Sequence, residues 1–400
     1  MNYLFKLTAT ILICLKFSNL LIAQDPERAQ FPPYLANAYF GANVGYITYP
    51  FSNDHLEPGF VAGSVTIPHE GVRLFLYGRH FNDYLSMKIS YMRPVLWVLY
   101  HDLNGMETRN SVWMNVAGLT LQPQLPLGEK ITLFGEFGLS IVTRHGFRRN
   151  DTWAIKDANY ASILAGGGLK YHINDRWDLM LHGVYTPANV KNKQPYTVFF
   201  APGFQYNMRP LSEEKLQAKL AASRHFPKNH LMIGYTTNAL GYGVNAFFSE
   251  GTIPVFWGGG VEVESGISVN YQRNVFHGRK FFSLDFGWNL AYFETRDLRT
   301  SFMGISVYPL ARFTLIRTKP ADFYFFYAAA GPTFLSQAVI DGVDTGKSFT
   351  FYDYMGIGTF AGNNRTILAE IKIGHYSNGN LFSQNPGVKI PLTFALGYTF

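Results

Sequence analysis

The stretch Phe282-Ser283-Leu284-Asp285-Phe286-Gly287-Trp288-Asn289-Leu290-Ala291-Tyr292 alternates large apolar side chains with small or polar ones without a break. A strict period of two belongs to an extended strand, because successive side chains leave opposite faces of the backbone. Bulky apolar groups on one face and small or polar groups on the other describe a strand lying between lipid and a narrow lumen.

Comparable runs, separated by Asn, Asp, Gly and Pro clusters, fill the chain on both sides of this one. Strands are predicted over 37–49, 62–79, 84–98, 111–125, 130–145, 158–173, 176–187 and 195–208, and again over 230–247, 258–275, 279–294, 302–317, 321–337, 349–361, 365–377 and 389–400. Residues 209–229 break the pattern: Ser212 caps a predicted helix that opens on Glu213 and Glu214, carries Leu216 and Leu220 on one face and stops before Pro227. The predicted fold is all-β, a transmembrane antiparallel β-barrel protein with two tandem eight-stranded barrels (24–208 and 230–400) joined by a periplasmic linker helix within 209–229. The alternative is one 16-stranded barrel, which would join its eighth and ninth strands by a short turn rather than a helical segment. Eight-stranded barrels are filled by side chains, which argues against a transport channel.

Composition agrees. Hydrophobic residues make up 47% and charged ones 15%, with 35 Phe and 25 Tyr, a mixture suited to membrane-exposed strands. Residues 1–23 read as a signal peptide, with Lys6, an apolar run from Leu7 to Leu21 broken by Lys16, and Leu21-Ile22-Ala23 before the cleavage point. The single cysteine, Cys14, lies inside it and follows Ile13, too large for a lipid-attachment site, so the mature chain is expected to lack disulfides, thiolate metal sites and thiol nucleophiles. The formal charge of +7 falls to +5 without Lys6 and Lys16. With the basic residues scattered, this fits contact with a membrane of anionic lipids and not with nucleic acid. His145, His172, His182 and His277 have no ligand spacing, and the runs 166–168 and 258–260 are strand glycines, so neither a metal nor a cofactor is expected.

The two halves echo one another. Gly183-Val184-Tyr185-Thr186-Pro187-Ala188-Asn189 aligns with Gly374-His375-Tyr376-Ser377-Asn378-Gly379-Asn380, which reads as a tandem duplication whose first copy is degenerate, with a structural or docking role and with Val184 and Thr186 where the second has His375 and Ser377. On the strand 365–377 the odd positions Ile367, Ala369, Ile371 and Ile373 are apolar and should meet lipid, and His375 and Ser377 continue that face. If both ends of each barrel are periplasmic, the pair lies at the extracellular end, at outer-leaflet depth. A serine with a neighbouring imidazole is the minimum for acyl transfer, and this position implies a lipid ester as substrate. The plain alternative is an interfacial histidine beside turn-forming Ser and Asn.

At these residues the sequence resembles the lipid A 3-O-deacylase (PagL-type) family of outer-membrane barrels: His375-Tyr376-Ser377-Asn378 on the penultimate strand, a loop with Asn385-Pro386-Gly387, and a last strand ending on Phe400. The motif match covers 375–387, and the barrel plan extends it to 230–400. The resemblance implies an outer-membrane hydrolase acting on lipid A of lipopolysaccharide, with His375 as general base, Ser377 as nucleophile and oxyanion contacts at Asn378 and Gly379. The family's glutamate falls where this chain has Lys389, and no acid occurs from Ile371 to Phe400. By parity Glu370 belongs to the lumen, which leaves Asp353 as the candidate to orient His375. Asn385-Pro386-Gly387 reads as a turn that shapes the loop. The competing functions are an outer-membrane phospholipase and a non-enzymatic barrel that anchors the envelope or binds a partner.

Overall fold

The computed structural model describes residues 26–221, 226–249, 259–278, 281–379, 381–382 and 384–400. The expected signal peptide and Cys14 lie outside the described residues. The chain divides into two compact units, and each contains its own closed barrel.

The first barrel comprises β1 (Ala38–Thr48), β2 (Glu70–His80), β3 (Leu85–Pro94), β4 (Arg109–Pro126), β5 (Ile131–His145), β6 (Ala158–His172), β7 (Trp177–Thr186) and β8 (Thr197–Asn207). Each strand pairs antiparallel with the next, and β1 closes on β8 in the register Tyr39↔Asn207 to Thr48↔Val198. The predicted run 62–79 resolves into Ser64–Thr66 and β2, the short piece pairing with Val98–His101 outside the barrel. Alternation decides which side chains go where. Leu133, Phe137 and Leu139 are exposed on the outer surface, while Arg73, Lys88, Glu136 and His182 fill the lumen. There the Glu136 carboxylate accepts from Arg73 at 2.6 Å, Lys88 at 2.8 Å and Thr120 at 2.7 Å, and His182 lies 2.8 Å away, so the buried cations are paired. A separate apolar cluster that includes Tyr49, Leu56, Val98, Tyr100 and Ile155 packs the loops at one end.

The second barrel comprises β9 (Asn229–Thr237), β10 (Val261–His277), β11 (Phe282–Thr295), β12 (Ser301–Arg317), β13 (Ala321–Leu335), β14 (Phe349–Ala361), β15 (Ile367–Ser377) and β16 (Val388–Thr399), and β9 closes on β16 from His230↔Thr399 to Thr236↔Thr393. With each barrel closed on itself, the 16-stranded alternative is excluded. The diagnostic stretch behaves as its alternation requires: Phe286, Trp288, Leu290 and Tyr292 are exposed, whereas Ser283, Asp285, Asn289 and Ala291 are buried. The lumen holds Arg312 against Asp285 and Glu370, with Tyr324 donating to Glu370 at 2.9 Å, and a cluster of tilted and edge-on rings from Tyr308, Tyr352, Tyr354 and Tyr376.

Two boundaries differ from expectation. The predicted strand 230–247 ends at Thr237, and after a turn at Gly241 (φ +70°) the chain forms the helix α2 (Gly243–Ser249), which follows the linker helix α1 (Glu213–Leu220) foreseen from Ser212. With β9 short, β10 and β16 meet directly in parallel above it, pairing Val261↔Val388 and Glu262↔Lys389. Residues 26–32, expected with the first barrel, group with the second unit instead. Arg28 donates to Asn274 Oδ1 at 2.9 Å, Phe31 stacks on Phe276 with ring centroids 4.4 Å apart, and Lys219 of α1 donates to the Ala29 carbonyl. These contacts link positions about two hundred residues apart, so no local pattern announces them.

Candidate active site

The site sits at one end of β14, β15 and β16. On β15 the even side chains Leu368, Glu370, Lys372 and Tyr376 are buried in the lumen, while Ile367 and Ile371 are exposed on the outer surface. His375 and Ser377 share the outer parity, as their position on the strand required. His375 is nonetheless only 3% exposed and Ser377 is half-buried, so the pair is covered rather than laid bare on the barrel wall.

Register fixes the neighbours. On β14, Asp353 lies directly opposite His375 and Phe351 opposite Ser377. On β16 a bulge between Ile390 and Thr393 shifts the pairing, so that Gly374 faces Ile390 and His375 faces Lys389. Pro391 occupies that bulge, where its missing N–H breaks no ladder bond. The extra residue reverses the parity of β16: below it Phe394 and Leu396 face outward, and above it Lys389 does. Asp353, His375, Lys389 and Glu262 therefore form one cross-strand row on the outer face.

Around Ser377 a short network closes. Ser377 Oγ accepts from the Gly379 N–H and from Asn385 Nδ2, both at 3.2 Å. Asn385 Oδ1 accepts from the Asn378 N–H at 2.9 Å, and since a backbone N–H can only donate, this fixes which end of the Asn385 amide points at the serine. A hydroxyl has one proton and two acceptor lone pairs. With both lone pairs engaged, only the proton remains to be given. Gly379 reaches this geometry with φ +64°, a conformation that costs glycine little.

The other expected participants are placed differently. Asn378 Nδ2 donates to the carbonyls of Gln384 at 2.5 Å and Thr345 at 3.3 Å, so its amide turns inward and is engaged away from the serine. Asn385, read from sequence as a turn residue, takes the place beside Ser377 Oγ instead, and only the Asn-Pro-Gly string hinted at it. Asp353 is in register with His375, yet its Oδ1 accepts from the Ala330 N–H of β13 at 2.5 Å. Ala330 lies at the irregularity where β13 slips against β14 and has φ +54°, which turns its N–H toward that carboxylate. Lys389 pairs with Glu262 at 2.8 Å.

Two closed barrels with lipid-facing apolar walls define a bacterial outer-membrane β-barrel protein. Its second unit is PagL-like: residues 257–399 match the family model for lipid A 3-O-deacylase (PagL), and residues 33–214 match that of the OmpA-like transmembrane domain. No curated protein matches the chain. Among solved structures, the outer-membrane enzyme PagL aligns at 14% identity over 43% of this chain and 98% of its own, with a TM-score of 0.29. Neisserial surface protein A aligns at 13% identity over 43% and 97%, with a TM-score of 0.30. The N-terminal barrel domain of Pseudomonas aeruginosa OprF aligns at 14% over 43% and 98%, with a TM-score of 0.26.

Proposed function

We propose that the second barrel is a serine esterase that hydrolyses the 3-O-acyl ester of lipid A, or a related ester of the outer leaflet. The observation that carries this reading is the outward pair His375 and Ser377, with the serine oxygen held by two N–H donors and its proton left to be taken. In this reading Ser377 Oγ attacks the ester carbonyl carbon while His375 accepts the hydroxyl proton. The oxyanion of the tetrahedral intermediate takes the N–H groups of Gly379 and Asn385 that held the resting oxygen. Collapse expels the lipid alcohol, to which His375 returns the proton. Water then attacks the acyl-serine by the reverse sequence and releases the fatty acid. Asn378 supports the loop from behind, through its bonds to Thr345 and Gln384. The match of residues 257–399 to the deacylase family supports the substrate class.

The test is mass spectrometry of lipid A from outer membranes carrying the wild type or Ser377→Ala. Loss of one hydroxyacyl mass in the wild type, absent in the variant, is the expected result. Intact lipid A with release of fatty acid from phospholipids would select the phospholipase reading. No acyl release from either lipid would leave a non-enzymatic barrel.

A further inference from the structure

Glu262, at the start of β10, holds two cations. Its Oε1 lies 2.8 Å from Lys389 Nζ and its Oε2 lies 2.6 Å from Arg296 Nη1, in the loop after β11. One carboxylate thus gathers two cations, and one of them, Lys389, is the direct neighbour of His375 in the cross-strand row. The nearby Arg299 is engaged by Glu294 at 3.0 Å and Glu264 at 3.7 Å, and Asp353, on the far side of His375, accepts from Ala330. Neither cation in the cluster is saturated. An ammonium has three N–H groups and a guanidinium five, while Glu262 is the one side-chain acceptor on each side chain among the described residues. The Arg296 side chain is 53% exposed and that of Lys389 16%, so one reaches outward while the other lies close to the barrel wall. Further along β16 the exposed Phe394 and Leu396 face outward, which sets the cluster at the apolar edge where lipid headgroups begin.

We infer that Lys389 and Arg296, gathered by Glu262, form a phosphate-recognising subsite next to the His375–Ser377 pair, and that the favoured substrate is an ester lipid carrying phosphate. This rests on the esterase reading above. A tetrahedral phosphate offers several acceptor oxygens and suits a guanidinium and an ammonium held side by side. Glu262 fixes both cations before the lipid arrives, which lowers the ordering cost of binding.

The experiment uses the full chain in mixed micelles with paired substrates: lipid A with and without its phosphates, and phosphatidylglycerol against diacylglycerol. The rate ratio of phosphorylated to unphosphorylated lipid should exceed one in the wild type and fall about tenfold in Lys389→Met, mainly through KM, with Lys389→Arg retaining it. Whichever pair shows the preference identifies the source of the phosphate. Arg296→Gln, on a surface loop, carries the same test should Lys389→Met fail to fold. A wild-type ratio of one, or a ratio unchanged in both variants, overturns the subsite while leaving the esterase standing. A wild type that cleaves neither pair removes the esterase reading, and the subsite falls with it.

Discussion

The seventh strands of the two barrels, β7 and β15, align in sequence and diverge in space. On β7 the even residues Asp178, Met180, His182, Val184 and Thr186 are buried in the lumen, and the odd ones Leu179, Leu181 and Tyr185 are exposed. On β15 the lumen also takes even residues, so the pair His375 and Ser377 faces outward. The alignment that sets Val184 against His375 and Thr186 against Ser377 therefore matches lumen positions with lipid-side ones. The first barrel is not a copy in which the dyad was replaced in place. A shift of one residue in register exchanges every side chain between faces, so a short shared string says nothing about which solvent a residue meets. For a lipid-directed reaction that difference is the whole of the site.

Transplanting the dyad would break this comparison most directly. In a Ser377→Ala background, Val184→His with Thr186→Ser recreates His-x-Ser at the aligned positions of β7. The new side chains would sit in a filled lumen with no access for an acyl chain. Ester hydrolysis, followed as fatty-acid release, should stay roughly 10⁴-fold or more below wild type. Recovery of activity would show that the face of the barrel does not govern the chemistry.

The second prediction concerns what the barrels share. Each lumen buries cations against carboxylates, Arg73 and Lys88 on Glu136 in the first and Arg312 on Asp285 and Glu370 in the second. Glu136→Gln keeps the shape but strands two buried cations, and should lower the unfolding free energy of the first barrel by about 3–5 kcal/mol. Urea titration in vesicles would measure it, with the proposed acyl release by the second barrel unchanged under native conditions. A loss below about 1 kcal/mol would mean that the cluster is solvated rather than paired.

The fold was legible because lipid outside and a packed lumen inside force alternation on every spanning strand, as Phe282 to Tyr292 displays. The helix from Glu213 was legible from its local capping pattern. What escaped depends on contacts between distant segments. The bulge at Pro391 decides that Lys389 joins the outer row, and no periodicity within 389–400 reveals it. The end of β9 at Thr237 was hidden because Val244, Phe247 and Phe248 continue an apolar pattern that proves helical. Asn385 looked like a turn former, and only the folded loop brings its amide to Ser377. Parity did place Asp353 opposite His375, but it could not show that one oxygen of the carboxylate accepts an N–H from the slipped strand on its other side.

Asp353 gives the smallest expected effect and the sharpest contrast with Glu136. Both are carboxylates on barrel strands, but Glu136 balances buried charge in the lumen, whereas Asp353 accepts one backbone N–H among the described residues. Asparagine at 353 keeps a carbonyl oxygen for Ala330, so Asp353→Asn should change stability by no more than about 1 kcal/mol and kcat by about threefold or less. Were Asp353 the group that orients His375, removing its charge would cost on the order of 10⁴ in kcat, the penalty for a mis-set histidine tautomer in a serine hydrolase. The two expectations differ by more than three orders of magnitude. For the proposed esterase, a steady-state measurement on this one variant therefore decides between a triad through Asp353 and a His–Ser pair with its serine held by Gly379 and Asn385.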